Sequence, residues 1–129
     1  MRKPLLLLLI VLTANILLTA CSSNTDAPAK AVETYWNTIV AKDAERLPTL
    51  VCGDYEEDAL TVLDSLQAVT ARLEDMACIQ SGTDGETALV NCTGKMVLTY
   101  DTEDQAIDLS TFTYEVIEEG GDWLVCGTR

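Results

Sequence analysis

The sequence predicts a single α+β domain in which helices near the N-terminus cover a curved, four-stranded antiparallel sheet. Two observations lead to this prediction. Up to about residue 69, apolar residues recur at helical spacing, whereas after Leu73 they alternate with polar residues, as in strands with one buried face. Helical segments that precede all the strands favour an arrangement with the helices on one face of the sheet. The chain of 129 residues has room for one such domain.

Three helices are expected before the sheet. The first begins near Pro28 and has apolar residues at positions i, i+3, i+4, i+7 and i+8, namely Val32, Tyr35, Trp36, Ile39 and Val40. A second, short helix is predicted from Asp43 to Val51. The third is predicted from about Tyr55 to Val69, and the acidic residues in its first turn suit the positive end of the helix dipole.

Four strands joined by short turns are expected after the helices. They contain Cys78, the long alternating segment from Ala88 to Tyr100, the segment from Phe112 to Val116, and the segment from Trp123 to Cys126. Sequences typical of turns separate them at 82–86, 101–104 and 119–122. Consecutive strands connected in this way form an antiparallel meander.

Four of the five cysteines lie in the predicted domain, which is typical of two disulfides in a small exported protein. Cys78 and Cys92 are both seven residues from Gly85, so a hairpin centred there places them opposite each other, within disulfide reach. This favours a Cys78–Cys92 bond and leaves Cys52 and Cys126 to join a helical segment to the last strand. Because a bulge would shift the register of the hairpin, the two swapped pairings stay open.

The first 20 residues have the pattern of a cleaved signal peptide. A basic start precedes an apolar run from Leu5 to Leu18, which is shorter than the roughly 20 residues of a membrane-spanning helix. The sequence Leu-Thr-Ala-Cys ending at Cys21 resembles the bacterial lipobox, which implies cleavage before Cys21 and lipidation of its thiol. The predicted organisation is a signal peptide at 1–20, the lipidated Cys with a tether at 21–27, and the domain at 28–129. An ordinary secretory signal with unmodified Cys21 is the alternative.

Charge and the residue after Cys21 bear on partners and location. From Cys21 onward the chain has 21 acidic and six basic residues, a net charge of −15. This disfavours nucleic acid as a partner, because Lys and Arg supply much of the affinity for phosphates. It also disfavours adsorption to anionic lipids, so the acyl chains are expected to attach the protein to a membrane. Ser22 rather than Asp permits the outer membrane in a diderm bacterium, and the outer face of the plasma membrane is expected in a monoderm.

Several segments resemble the nuclear transport factor 2-like superfamily. They are the helix with Tyr35-Trp36, the segment Ala44 to Leu50 and the entry to the last strand at Gly121-Asp122-Trp123. The chain is similar, from about Ala27 to Arg129, to small bacterial lipoproteins of this superfamily. The resemblance implies a cone-shaped domain in which helices and a curved sheet enclose a pocket. A cystatin-like or other helix-on-meander fold without a cone is the alternative.

Aromatic residues are the candidates for lining such a pocket. Tyr35, Trp36, Tyr100 and Tyr114 could line it, with Trp123 nearby. The alternative interpretation is that these residues simply belong to the core.

Carboxylates are the remaining candidates for chemistry, because the chain contains no His. Enzymes of the superfamily use acidic or His residues inside the cone, and Asp108 and Glu115 are the candidates here if the strand register turns either of them inward as a base. The acidic residues at 101–108 are interpreted as a solvated turn, since they lack the ligand spacing and central Gly of an EF-hand loop. We expect neither a metal ion nor a cofactor.

The sequence does not identify a function, and three hypotheses remain. The first is a non-enzymatic, membrane-tethered domain that binds a small apolar ligand or an envelope protein. The second is an isomerase- or dehydratase-like enzyme that uses a carboxylate in the cone. The third is a structural or assembly partner whose cone is filled by its own side chains. A buried carboxylate facing a cavity would distinguish the enzyme from the other two.

Overall fold

The computed structural model of the protein describes residues 26–129. Within them the chain forms two α-helices and five strands: α1 (Ala27–Ala41), α2 (Glu56–Ser65), β1 (Thr70–Asp84), β2 (Thr87–Tyr100), β3 (Glu103–Asp108), β4 (Thr113–Glu119) and β5 (Asp122–Thr128). Both helices precede one antiparallel sheet, so the predicted α+β class is confirmed. The predicted signal peptide and Cys21 lie outside the described residues.

Helix α1 buries the apolar face that its sequence predicted. Its buried side chains include Val32, Tyr35, Trp36 and Ile39. Pro28 lies in the first turn, where a backbone N–H would have no hydrogen-bond partner within the helix, so the missing N–H costs nothing. The helix ends where Lys42 adopts a left-handed conformation with a φ of 57°, and the Lys42 N–H donates to the Ile39 carbonyl at 3.0 Å.

The second predicted helix, from Asp43 to Val51, is wrong. A turn leads instead into a short 3₁₀ helix at Leu47–Leu50. Pro48 has no N–H with which to continue an α-helical ladder. The Asp43 carboxylate also accepts the Arg46 N–H at 3.0 Å, a local bond that competes with helix formation.

The third predicted helix exists but is shorter. A 3₁₀ turn at Gly53–Tyr55 leads into α2, which ends at Ser65 rather than at Val69. Beyond Ser65, hydrogen bonds between residues three apart tighten the chain into a turn, and β1 begins at Thr70. Val69 is buried as the pattern predicted, although it lies in the connection and not in the helix.

The described sheet has five strands where four were expected. Its order is β1-β2-β4-β5, and β3 also pairs with β2. Strands β3 and β4 lie end to end along one side of β2, because Lys95 pairs with Asp108 and Asn91 pairs with Thr113. All six residues of β3 are exposed, so this strand has none of the alternating burial on which the sequence prediction depended.

The core lies between the two helices and one face of the sheet. Its fully buried side chains come from every layer and include Val32, Ile39, Leu63, Val90, Val116 and Val125. Leu109, in a 3₁₀ turn between β3 and β4, is also fully buried. In the described part of the chain, neither helix has the length and hydrophobicity that crossing a bilayer requires.

Candidate functional site

Three buried aromatic residues meet between α1 and the sheet. Adjacent positions in α1 hold Tyr35 and Trp36, and β4 supplies Tyr114. The Trp36 indole N–H donates a hydrogen bond to the Tyr114 hydroxyl at 2.9 Å. The rings of Tyr35 and Trp36 meet at 71°, and those of Trp36 and Tyr114 at 89°. The three side chains therefore form a fixed corner, held by packing and by one buried hydrogen bond.

A small depression opens beside this corner and is called here the aromatic depression. Its volume is about 120 Å³. Its lining residues are Tyr35, Trp36, Tyr55, Val62, Phe112, Tyr114 and Thr128. Tyr55 precedes α2 and Phe112 precedes β4, so the depression is assembled from four separate parts of the chain.

Burial changes the acidity of the two phenols in the corner. It raises the pKa of Tyr35 far above its ordinary value of 10.0, and neighbouring Tyr55, Tyr114 and Asp58 raise it further. It raises the pKa of Tyr114 to about 12, although the hydrogen bond from Trp36 acts in the opposite direction. Both hydroxyls are therefore neutral at physiological pH and can serve as hydrogen-bonding groups rather than as bases.

Tyr100 does not belong to this site, so its assignment to the pocket is corrected. It has the same strand parity as buried Leu98 but is 44% exposed. Val90, not Tyr100, pairs with Tyr114, and Tyr100 lies ten residues farther along β2. At about 3.3 Å per residue, that places it roughly 30 Å away. Trp123 is half-buried and packs against the core, and it is not among the lining residues.

The two carboxylates considered as bases both lie away from the depression. Asp108 caps the 3₁₀ turn that follows it, and hydrogen bonds from the Ser110 side chain and backbone lower its pKa. Glu115 alternates along β4 with buried Tyr114 and Val116 and so lies on the opposite face of the sheet, where it pairs with Arg129. A base at neutral pH needs a raised carboxyl pKa, so the lowered pKa of Asp108 is the opposite of what catalysis requires.

In the acidic segment at 101–108, Asp104 as well as Asp108 interacts with the protein itself. Asp104 accepts hydrogen bonds from Arg72 at 2.9 Å and from Thr99 at 2.6 Å, and the bond from Arg72 is the main reason that its pKa is lowered. Within residues 26–129, no group of three or more His, Cys, Asp or Glu side chains is arranged to hold a metal ion.

The four cysteines of the domain lie in two pairs at disulfide distance. The Cα atoms of Cys78 and Cys92 are 4.0 Å apart, and those of Cys52 and Cys126 are 4.8 Å apart. These are the pairs that the hairpin argument favoured. The second pair joins the segment before α2 to the last strand, as that argument also expected.

The register of the Cys78–Cys92 pair depends on a bulge, which a symmetric hairpin centred on Gly85 does not include. The turn is formed by residues 85 and 86, because Asp84 pairs with Thr87. A regular hairpin continued from that turn would put Cys78 opposite Thr93. An irregularity between Gln80 and Gly82 leaves Ser81 unpaired and moves the register by one residue, so that Cys78 pairs with Cys92.

The sequence did not single out four of the lining residues, which are Tyr55, Val62, Phe112 and Thr128. Phe112 lies two residues before Tyr114 in a predicted strand, so strand alternation is a usable signal that places both residues on one face. Tyr55 has no such signal, because it is the last residue of a 3₁₀ turn and reaches Tyr35 only through the packing of the segment before α2 on α1.

Comparisons with protein-family models, with curated proteins and with solved structures gave no match to this chain.

Proposed function

We propose that this chain is an exported lipoprotein, tethered through Cys21, whose domain binds one small and mainly apolar group without catalysing a reaction. The observation that carries the binding role is the aromatic depression, with its fixed corner of Tyr35, Trp36 and Tyr114. The tether rests on the signal-peptide and lipobox pattern of residues 1–21. The nuclear transport factor 2-like resemblance is part of the same proposal.

The size of the depression limits its occupant. Pockets that bury a drug-sized molecule measure roughly 300–1,000 Å³, whereas this one measures about 120 Å³. An apolar cavity of about 150 Å³ holds a benzene molecule. The occupant is thus a small apolar molecule or the apolar end of a larger one. An exposed apolar side chain of an envelope protein would also fit.

The chemistry of the lining favours binding over acid–base catalysis. The seven described lining residues carry no charge, and the two tyrosines in the corner stay protonated at neutral pH. A larger depression beside Ile79–Thr83 has a volume of about 450 Å³, but it is open to solvent and lined mainly by polar residues. Apolar binding is therefore assigned to the aromatic depression.

Binding is tested with residues 22–129, which contain every described element and all four paired cysteines. The probe is 3,3-dimethylbutan-1-ol, and the readout is the NMR signal of the Trp36 indole N–H. A saturable shift is expected in the unmodified fragment and is lost in Thr128→Phe, whose ring fills the depression. Thr102→Phe, in the turn after β2, is the matched control and keeps the shift. A Trp36 signal that never responds contradicts the binding role.

The tether is tested separately in cells. The full chain is expressed in a bacterium grown with an alkyne-labelled fatty acid, and the Cys21→Ser variant is the control. Label is expected on the unmodified chain and absent from the variant. Equal labelling of both proteins would contradict lipidation at Cys21.

A further inference from the structure

We propose that the aromatic depression binds a quaternary ammonium group, such as the trimethylammonium end of choline. This inference rests on the proposed binding role and specifies the chemical class of the bound group. A quaternary ammonium combines an apolar shell of methyl groups with a positive charge, and both properties match features of the site.

The walls of the depression are suited to a cation. Five of its seven lining residues are aromatic: Tyr35, Trp36, Tyr55, Phe112 and Tyr114. A cation within about 6 Å of a ring centroid is attracted by the negative face of the ring, and cages of several rings are the usual site for quaternary ammonium ligands. Neighbouring rings meet at interplanar angles of 37°, 55°, 71° and 89°, so they form walls of different orientation.

The volume also matches this group. Benzene in a cavity of about 150 Å³ corresponds to roughly 25 Å³ per heavy atom. By the same ratio, a depression of about 120 Å³ holds about five heavy atoms. A trimethylammonium group with its attached methylene has five.

The electrostatic surroundings favour a positive charge. The negative charge of Asp58 acts on the Tyr35 phenol, so its field reaches the wall of the depression. Arg129 follows the lining residue Thr128, but its guanidinium is paired with Glu115 and Asp84, and Glu115 lies on the other face of the sheet. The whole chain has a net charge of −13, which also attracts cations.

Hydrogen bonding distinguishes a quaternary from a primary ammonium. A primary ammonium has three N–H donors and is costly to desolvate unless these donors find acceptors. The Tyr114 hydroxyl already accepts a hydrogen bond from Trp36, and none of the lining residues is a carboxylate that could pair with these donors. A quaternary ammonium has no N–H group, so it requires no hydrogen-bond acceptor.

The test titrates the fragment 22–129 with three probes at constant ionic strength, set with KCl, and follows the Trp36 indole N–H. Choline is the cation, 3,3-dimethylbutan-1-ol has the same shape without the charge, and ethanolamine is the primary ammonium. Choline is expected to bind at least about fivefold more tightly than either of the others, as cation–π energies of about 1 kcal/mol imply.

Each outcome has a distinct meaning. Equal affinity for choline and the alcohol overturns the cation inference and leaves the apolar binding role intact. Equal affinity for choline and ethanolamine overturns the preference for a quaternary group. A Trp36 signal that responds to none of the probes overturns both the inference and the proposed function.

Variants at the rim of the depression test the contribution of the rings. Phe112→Leu and Tyr55→Leu remove a ring but keep an apolar side chain at positions that are only partly buried. Each is expected to weaken choline binding about threefold or more while changing binding of the alcohol little. Tyr100→Leu removes an exposed ring outside the site and should leave both affinities unchanged. An equal loss of affinity for choline and for the alcohol would show that the rings contribute only apolar contact and would contradict the cation inference.

The source of the group is distinguished with vesicles. Phosphatidylcholine and phosphatidylethanolamine vesicles have the same net charge but carry quaternary and primary ammonium groups, respectively. Selective binding to the first assigns the group to a lipid headgroup. Choline binding without vesicle binding assigns it to a free solute.

Discussion

The β1 and β5 edges of the sheet are protected in different ways. At the β5 edge, Val51 forms a parallel bridge with Val125, the Cys52 N–H donates to the Val125 carbonyl at 2.9 Å, and Cys52 is paired with Cys126. At the β1 edge, no further strand is paired in the described part of the chain. There the Glu33 carboxylate of α1 accepts the Cys78 N–H at 3.0 Å.

This difference shows that the two cysteine pairs act at different levels of structure. Cys52 and Cys126 are 74 residues apart in sequence, and their pair closes an edge of the folded domain. Cys78 and Cys92 are 14 residues apart, and their pair fixes the register of one hairpin. The open β1 edge is further interrupted by two irregularities in its pairing, and such bulges are a known means of keeping an exposed edge from pairing with other chains.

Removing the long-range pair should have the largest effect. The double variant Cys52→Ala/Cys126→Ala is expected to lose about 4 kcal/mol of unfolding free energy, because the chain-entropy contribution increases with the size of the closed loop. Cys78→Ala/Cys92→Ala is the comparison and should lose about 3 kcal/mol. Urea unfolding without reductant measures both values. A greater loss in the hairpin variant would show that register matters more than loop closure.

Gly94 is expected to be the most sensitive single position along β1 and β2. It has a φ of 87°, and an added Cβ would lie 2.5 Å from the Asp75 carbonyl oxygen in the irregular part of β1. Gly94→Ala should cost about 2–3 kcal/mol through backbone strain and the clash. Gly82→Ala is the matched control in β1, since an added Cβ there meets no described atom within 4 Å. Urea unfolding should show little change for this control, and equal losses would refute the argument.

Glu33 is expected to contribute a smaller amount at the open edge. Glu33→Ala should cost about 1–2 kcal/mol, because it leaves the partly buried Cys78 N–H without its charged acceptor. Glu33→Gln keeps an oxygen acceptor of similar length and should lose less than half as much. Hydrogen exchange at the Cys78 amide is the second measurement and should become faster only in the alanine variant. An unchanged exchange rate in that variant would show that this hydrogen bond does not protect the edge.

Local periodicity accounts for the parts of the fold that could be predicted from the sequence. The buried face of α1 and the alternation along β2 each depend on neighbouring residues that pack against a single surface. Strand β3 could not be found in this way, since its side chains are exposed and only its backbone pairing with β2 defines it. The bulge at Ser81 was also hidden, because the sequence does not reveal which two residues form the turn.

The same limit applies to the site, where periodicity identifies some residues and only tertiary packing places the others. Periodicity placed Tyr35, Trp36 and Tyr114 on buried faces, but it assigned Tyr100 to the same group because parity does not show where the covering helices end. Tyr55 joins the site only through tertiary packing, since it reaches Tyr35 from a different part of the chain.

The smallest expected effect concerns ion pairs that link the open edge to its neighbours. Arg72 of β1 pairs with Glu74 at 3.0 Å and with Asp104 of β3 at 2.9 Å, and Lys95 of β2 pairs with Glu74 at 3.2 Å. The hydrogen bond from Arg72 is the main reason that the pKa of Asp104 is lowered, and the bond from Lys95, followed by that from Arg72, lowers the pKa of Glu74.

A lowered carboxyl pKa fixes the direction of the pH dependence. The folded state binds these protons less readily than the unfolded state, so the stabilisation is present above the ordinary carboxyl pKa of about 4 and is lost as the pH falls through the lowered values. Arg72→Gln should therefore make stability less dependent on pH below about pH 4.5, with only a small loss at neutral pH because the groups are exposed. Arg46→Gln removes the same charge from an arginine that forms no ion pair within residues 26–129 and should preserve the acid dependence. Thermal unfolding between pH 2.5 and pH 7 measures the difference, and parallel curves for the two variants would mean that these pairs contribute nothing to the open edge.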